Sequence, residues 1–318
     1  MSKRTELATA VNITSSYAGE FAGKYISAAL LSASTIDDGG VTVLPNIKFK
    51  QVIQKVETGD LITDGSCDFV ASSSVTLSEV ILQPEEFQVN LNLCKSDFIN
   101  TWDAIQMGYS AFNNNGLPTS FSDYLIGHVA AKVAAQNEIN VWTGNLGGAQ
   151  AGEYNGLETL AAADATVIDV VGVALNAANI IGEMQKVVDA IPDALYGLED
   201  LKLYVSNKAA KSYITALGGF SVAATSNSGT DAKGTQWYNN GSLTFGGIPI
   251  FVARGMSADT MMAAETSNLF FGCGLLSDYS EVRLLDMTTL DGSQNVRIIM
   301  RFTAACQIGI GANVVYYS

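Results

Sequence analysis

Residues able to transfer protons or bind metals are scarce in this sequence. Its one histidine, His128, lies in a helical pattern beside Ile126, Val129 and Ala130, which favours a structural role. Without a second histidine, an H-E-x-x-H metal site is excluded. A Ser-His-Asp arrangement would have to use His128, and the sequence has no G-x-S-x-G motif.

The other reactive groups also have simpler structural explanations. The four cysteines have no C-x-x-C spacing and are interpreted as small buried side chains: Cys67, Cys94, Cys273 and Cys306. The Gly272–Gly274 stretch lacks the third glycine of a dinucleotide fingerprint, and no Walker A motif occurs. The carboxylate pairs Asp37-Asp38 and Glu85-Glu86 lie in turn-like sequence. We therefore expect neither an enzyme nor a cofactor.

The composition indicates assembly. Hydrophobic residues make up 48% of the 318 residues and charged residues only 15%, so we expect a large core or apolar surface covered by partners. The net charge is −14, and the absence of a basic cluster argues against sequence-specific nucleic-acid binding. The sequence shows neither a secretory signal nor a transmembrane run.

The first third of the chain suggests segments that need a partner surface. Residues 17–33 predict a helix rich in small residues. Residues 41–93 predict a long two-stranded hairpin with an irregular tip, because an alternating strand pattern resumes after a Gly/Ser/Asp stretch. Its tip carries apolar residues, and an isolated hairpin is marginal in water: Leu61, Ile62, Phe69 and Val70.

The middle of the chain predicts a long helix followed by an α/β lobe. Residues 119–143 form one helical pattern of about 36 Å, with an apolar stripe of Phe121, Leu125, Val129 and Val133. The lobe, from about 170 to 275, is predicted as a helix, a strand, a second helix, a loop with Trp237-Tyr238, and a strand pair. Their ranges are 174–191, 201–206, 207–217, 220–241 and 242–254.

Two details of this lobe can be tested. The helix at 174–191 is expected to bury one face, and Asn207 is expected to cap the next helix. The residues of the buried face are Ala178, Ile181, Met184, Val188 and Ile191.

The C-terminal sequence predicts a hairpin turning at Asp291-Gly292. Val296, Ile298, Met300 and Phe302 share one face of its second strand, and the alternating residues, including Arg297 and Arg301, share the other. This register places Asp286 opposite Arg297. We expect the C-terminal segment to complete a sheet that covers the long helix.

Four segments resemble the major capsid protein of tailed bacteriophages, which has the Hong Kong 97 fold. They are "YAGEFAGKYISAALL", "GGVTVLPNIKFK", "NLFFGCGLLSDYSEVRLLDM" and "DGSQNVRIIMRFTAACQIGIGANVVYYS". The resemblance implies an α+β capsid fold in four parts. These are an N-terminal arm (1–40), an extended β-hairpin loop (41–93), a peripheral domain with the long spine helix (94–165 and 276–318), and an inserted α/β axial domain (166–275).

The resemblance also implies a function. Hexamers and pentamers would form an icosahedral shell around packaged double-stranded DNA, assembled in the host cytoplasm and found in the virion. Scaffold, portal and decoration proteins are possible partners, and no membrane or cofactor is implied. Candidate assembly residues are Lys48, Lys50, Leu61, Ile62, Phe69, Trp237, Tyr238, Arg297 and Arg301.

Three alternatives remain open at this point. An encapsulin-type nanocompartment would use the same fold around an enzyme cargo. A tail-tube or surface-layer protein would also self-assemble, but the long helix and the single α/β insertion argue against both. An enzyme is the least favoured alternative.

Overall fold

The computed structural model describes residues 34–47, 49–58, 75–94, 119–150, 152–218, 243–274, 283–287 and 292–318. The helices are α1 (Ser34–Asp37), α2 (Thr119–Thr143), α3 (Leu157–Ala163), α4 (Ile180–Asp189) and α5 (Asn207–Gly218). The first seven strands are β1 (Thr42–Leu44), β2 (Gln51–Thr58), β3 (Val75–Leu82), β4 (Glu85–Cys94), β5 (Ile168–Val170), β6 (Leu201–Ser206) and β7 (Thr244–Phe245). The other six are β8 (Ile248–Ala253), β9 (Met261–Glu265), β10 (Leu269–Cys273), β11 (Arg283–Asp286), β12 (Asn295–Ile308) and β13 (Val315–Tyr317). The predicted helix at 17–33 lies outside the described residues.

Contacts divide the chain into two compact units. The first contains the described residues within 90–128 and 283–299, and the second contains those within 34–89, 129–282 and 300–318. In the first unit, β11 runs antiparallel to the beginning of β12. Arg297 lies opposite Leu285, and Asp286 lies opposite Val296. The predicted Asp286–Arg297 pair is therefore wrong, because the register differs by one residue and places Val296 opposite Asp286.

The alternation predicted along β12 is confirmed. Val296, Ile298 and Met300 are buried, whereas Arg297 and Arg301 are exposed. A side chain on every second position faces the same side of a strand, so the apolar set is buried together.

The predicted hairpin at 41–93 needs a correction. β2 does pair antiparallel with β3, with Val52 opposite Ile81. However, the strand after Pro84 is separate, and β4 pairs with β12 rather than extending the hairpin. A proline supplies no backbone N–H for the strand ladder, so the break at this position has a simple cause.

In the second unit, one core lies around the C-terminal end of α2. β1 pairs parallel with β10, which runs antiparallel to the second half of β12. Trp142 and Val141 of α2 pack with Phe271 of β10 and Cys306 of β12. The predicted helix boundaries are confirmed at Thr119–Thr143.

The burial of α2 is only partly as predicted. Val129 is buried, Val133 is half-buried, and the side chains of Phe121 and Leu125 lie outside the described part. The most buried turns of this helix instead contain Asn137, Glu138, Val141 and Trp142.

The second core of this unit lies on a six-stranded sheet with the order β5-β13-β9-β6-β8-β7. Helices α4 and α5 pack on it through Met184, Val187 and Tyr213. The predicted strand at 201–206 is confirmed, and so is the helix that follows it.

The chain end belongs to this six-stranded sheet. β13 lies between β5 and β9, with Val315 and Tyr317 almost fully buried. The prediction that the whole C-terminal segment joins the sheet over the long helix is therefore wrong for its last strand. The Gly309–Asn313 stretch separates β12 from β13.

Two local predictions in this sheet also change. α4 begins at Ile180 because Asn176 and Asn179 form side-chain turns before it, and such bonds compete with helix formation. Its buried face consists of Ile180, Met184 and Val187, whereas the predicted core residue Ile181 is exposed.

The cap of α5 is also one residue earlier than predicted. The Ser206 hydroxyl, rather than the Asn207 side chain, accepts the Ala209 backbone N–H at 3.3 Å. An oxygen three residues before the bonded N–H is the N-cap arrangement.

Candidate assembly surfaces and anchors

The β2–β3 hairpin has one face on the subunit core and one face exposed. On the core side, Leu82 is fully buried, and Ile53 packs against the cluster that Leu82 forms with Ile47 and Ala305. This contact fixes the base of the hairpin. The opposite face has no comparable cover in the described part of the chain.

Three apolar side chains lie on that opposite face. Val52 and Ile81 are directly opposed and are 46% and 47% exposed, and Leu77 is 71% exposed. Directly opposed side chains on one face of an antiparallel pair contact each other. Glu79 lies on the same face between Leu77 and Ile81. Exposed apolar side chains that share one face mark an interaction site more often than scattered single residues do. We call Val52, Leu77 and Ile81 the hairpin patch.

Several predicted assembly residues can be placed. Lys50 is exposed in the segment that leads into β2, beside Phe49, which is 84% exposed. Arg297 is exposed in the first unit and Arg301 in the second. The remaining candidates lie outside the described residues: Lys48, Leu61, Ile62, Phe69, Trp237 and Tyr238.

Arg301 borders a concave surface. A cavity of about 650 Å³ is lined by β4 and β12 residues: Glu86, Phe87, Gln88, Arg301, Phe302 and Thr303. The Thr303 hydroxyl accepts the Gly274 backbone N–H at 2.8 Å, so it contributes to the strand framework. The described part of the lining combines one cation, one carboxylate and two aromatic rings.

The end of the predicted N-terminal arm is anchored by a buried carboxylate. Both Glu138 oxygens accept hydrogen bonds from Thr35, one from the backbone N–H at 3.0 Å and one from the hydroxyl at 2.5 Å. The Trp142 indole N–H donates to the same hydroxyl oxygen at 2.8 Å. Thr35, Glu138 and Trp142 are all fully buried. We call these three residues the Thr35 anchor.

The same segment is attached to the six-stranded sheet. The Tyr204 hydroxyl donates to the Gly40 carbonyl at 2.5 Å, and the Lys202 ammonium donates to the Gly39 carbonyl at 2.8 Å. Gly40 has no room for a side chain, because a Cβ would lie 2.8 Å from the Phe251 ring. Residues 34–40 are therefore bonded both to α2 and to β6.

Desolvation dominates the electrostatics of the Thr35 anchor. Burial raises the pKa of Glu138 above its ordinary value, and the hydrogen bonds from Thr35 and Gly255 and the charge of Arg254 offset this only in part. Burial also raises the pKa of the Tyr204 hydroxyl. The Glu138 carboxylate and the Tyr204 hydroxyl therefore have structural roles, since each has hydrogen-bond partners within the fold.

Other buried carboxylates also hold loops in place. Glu158 accepts hydrogen bonds from the Ser257 backbone N–H, the Ser257 hydroxyl and the Thr260 hydroxyl, at 2.8, 2.6 and 2.7 Å. Glu183 accepts the Tyr317 hydroxyl at 2.9 Å, which fixes the last strand to α4. These acceptors are saturated by neighbours, so they do not form an acid–base pair.

No metal or membrane site is evident in the part of the chain that the structure describes. No group of three or more His, Cys, Asp or Glu side chains in it is arranged to hold a metal ion. Burial raises the pKa of the Cys273 and Cys306 thiols, which disfavours the thiolate form. None of its helices has both the length and the apolar character that a bilayer span requires.

Sequence reasoning did not find the Thr35 anchor or the hairpin patch residues. A polar "STIDDGG" stretch suggests an exposed loop, and the long-range partners of Thr35 are about 100 positions away. The alternating pattern of β2 and β3 was visible. It could not show which of the two faces would be covered.

Comparison with known proteins identifies the fold. Neither family models nor curated protein sequences match the chain. Among solved structures, the capsid of a native GTA particle matches with a TM-score of 0.59, 13% identity and 92% coverage of both chains. Mycobacterium phage Adephagia matches with a TM-score of 0.56 and 16% identity, covering 92% of this chain and 91% of its own. The cyanophage P-SCSP1u capsid matches with a TM-score of 0.54 and 11% identity, covering 94% of this chain and 91% of its own. The predicted α+β capsid fold is thereby confirmed.

Proposed function

We propose that this chain is the major capsid subunit of a tailed-phage-type shell, which self-assembles into hexamers and pentamers around double-stranded DNA. The observation that carries the proposal is the hairpin patch: apolar side chains held outside the subunit core, in a fold shared with capsid chains over nine-tenths of the sequence. Such a patch gains stability when a second copy covers it. The role is structural rather than enzymatic.

The parts of the subunit follow the division expected from the sequence, with one amendment. Residues 1–40 serve as the N-terminal arm and 41–93 as the extended loop. Residues 94–165 and 276–318 form the peripheral domain, and 166–275 form the axial domain. The amendment is that β13 is assigned to the axial domain, because it pairs with β5 and β9. Scaffold, portal and decoration proteins would be partners in the virion.

The alternatives receive less support. The matches named above are phage and GTA capsids, which do not favour a cellular nanocompartment. The shared fold is also not evidence for a tail tube or a surface layer. A net charge of −14 suits an inner wall that does not adhere to packaged DNA.

The test is assembly of purified subunits, followed by electron microscopy and light scattering. We expect closed shells or rings from the wild type, with added scaffold if required. Leu77→Glu should keep the subunits dispersed, because it places a charge at the most exposed apolar residue of the hairpin patch. Ser78→Glu is the matched control, since it adds the same charge at an exposed neighbour on the opposite face.

Two results would contradict the proposal. One is a wild-type monomer that persists at every concentration, with and without scaffold. The other is a Leu77→Glu variant that assembles as well as the Ser78→Glu control. The first would reject self-assembly, and the second would reject the hairpin patch as the contact that drives it.

A further inference from the structure

The six-stranded sheet ends differently at its two sides. On one side, β7 is only two residues long, and Phe251 of neighbouring β8 packs against Tyr204 and lies close to Gly40. On the other side, β5 is the last strand, and no strand in the described ranges pairs with its outer edge. Natural sheets usually protect such an edge with charges, prolines or a covering segment.

The hydrogen bonds of β5 define which backbone groups point outward. The Ile168 N–H donates to the Val314 carbonyl at 3.0 Å, and the Gly172 N–H donates to the Ser318 carbonyl at 2.8 Å. The Ser318 N–H donates to the Val170 carbonyl at 3.4 Å. In parallel pairing, alternate residues direct their backbone groups to opposite sides. Residues 169 and 171 therefore direct theirs away from β13.

The pairing also continues beyond the end of the regular strand. Gly172 lies so close to the chain end that a Cβ would be 2.7 Å from the Tyr317 ring. The Tyr317 hydroxyl then accepts the Val173 N–H at 2.9 Å. Residues 168–173 thus form one extended edge, held firmly on its inner side.

The side chains of this edge offer little protection. Val171 is 81% exposed and Val173 is 51% exposed, and Asp169 is the one charged residue between 168 and 173. A largely apolar edge whose backbone groups at 169 and 171 have no partner strand in the described ranges is suited to accept another strand. An extended polypeptide can bond to the backbone groups and also cover the apolar side chains, whereas a helix or a small ligand can do only one of these.

We propose that the outer edge of residues 169–171 receives an extended segment of a second copy of this chain, which adds a seventh strand to the sheet. This inference rests on the proposed function, because shell assembly brings identical copies into contact. The strand at the opposite end of the sheet is only two residues long, so the contact joins two different surfaces. Contacts of that kind form rings when the rotation between copies closes. A nearly uncharged edge also matches a chain in which only 15% of residues are charged.

The backbone can be tested at Val171. Val171→Pro removes an N–H that points outward and leaves the bonds to β13 in place, since proline is tolerated on the free side of an edge strand. Val171→Thr is the matched control, because it keeps the β-branched shape and the N–H. We expect at least a tenfold loss of assembly, by light scattering, for Val171→Pro and near-normal assembly for Val171→Thr.

Hydrogen–deuterium exchange of the wild type supplies a second readout that does not depend on any variant. The amides of residues 169 and 171 should exchange at least tenfold more slowly in assembled particles than in dispersed subunits. Equal exchange in the two states would overturn strand addition, even if Val171→Pro proved to be poorly folded. Normal assembly of a folded Val171→Pro variant would overturn it as well.

These results separate the two proposals. If the wild type never assembles, the proposed function fails and this inference fails with it. If the wild type assembles and Leu77→Glu does not, but the exchange at 169 and 171 is unchanged on assembly, only the strand addition is rejected.

Discussion

The Ser34–Gly40 segment and the β2–β3 hairpin reverse the usual relation between polarity and burial. The first is polar, yet Thr35 is fully buried and bonded to Glu138 and Trp142. The second is rich in apolar residues, yet Leu77 is 71% exposed. The two regions are separated by the ten residues 41–50.

Under the proposed function, this difference divides the stability of one subunit between its own fold and its contacts with neighbours. Thr35 can be buried at little cost because its backbone N–H and its hydroxyl both donate to Glu138 within the same chain. The hairpin patch has no cover within the described part of the subunit, so its apolar area contributes only after another copy covers it. Substitutions in the Thr35 anchor should therefore lower the free energy of unfolding of the dispersed subunit. Substitutions in the hairpin patch should instead reduce assembly.

The largest expected effect comes from removing the indole at the Thr35 anchor. Trp142 is fully buried and its ring lies 5.3 Å from the Tyr204 ring, so Trp142→Ala should lower the free energy of unfolding by about 3–5 kcal/mol. Urea denaturation of dispersed subunits measures this. Leu77→Ala is the comparison variant and should change the same quantity by less than about 0.5 kcal/mol. Similar losses of unfolding free energy for both variants would contradict the difference between the Thr35 anchor and the hairpin patch.

A smaller effect is expected from removing one hydroxyl. Thr35→Val leaves a Glu138 oxygen and the Trp142 N–H without their partner inside the core, which should cost about 2 kcal/mol of unfolding free energy. The matched control is Thr215→Val, whose exposed hydroxyl donates to the Lys211 carbonyl within α5. An equal cost at both threonines would show that the long-range bonds of Thr35 add nothing.

Much of the fold could be predicted because the determining signals are local. The boundaries of α2 and of β6 follow from helical and strand periodicity, and both were predicted correctly. The errors occur where a residue far away in sequence decides the outcome. Pro84 separates β3 from β4, but which strand then pairs with β12 depends on contacts about 200 residues apart.

The candidate sites were less predictable for the same reason. Exposure of Arg297 and Arg301 follows from simple alternation along β12. The exposed edge at Val171 depends on β13 occupying the other side of β5, and no pattern near Val171 announces a partner at the chain end. Apolar residues at a future interface have the same sequence signature as core residues.

The last prediction tests the charge of Glu138, the carboxylate of the Thr35 anchor. Burial raises the pKa of Glu138, so the folded chain holds this proton more tightly than the unfolded chain does. For a carboxyl with a raised pKa, stability increases as the pH falls through the folded-state pKa toward the ordinary value. The wild type should therefore gain stability relative to Glu138→Gln as the pH falls from about 8 to about 4, because groups common to both chains cancel in the difference. Urea denaturation of the two proteins across this range measures the effect. A difference that falls with acidification would mean that the hydrogen bonds of Thr35 outweigh desolvation at this carboxylate, and a constant difference would mean that the two effects cancel.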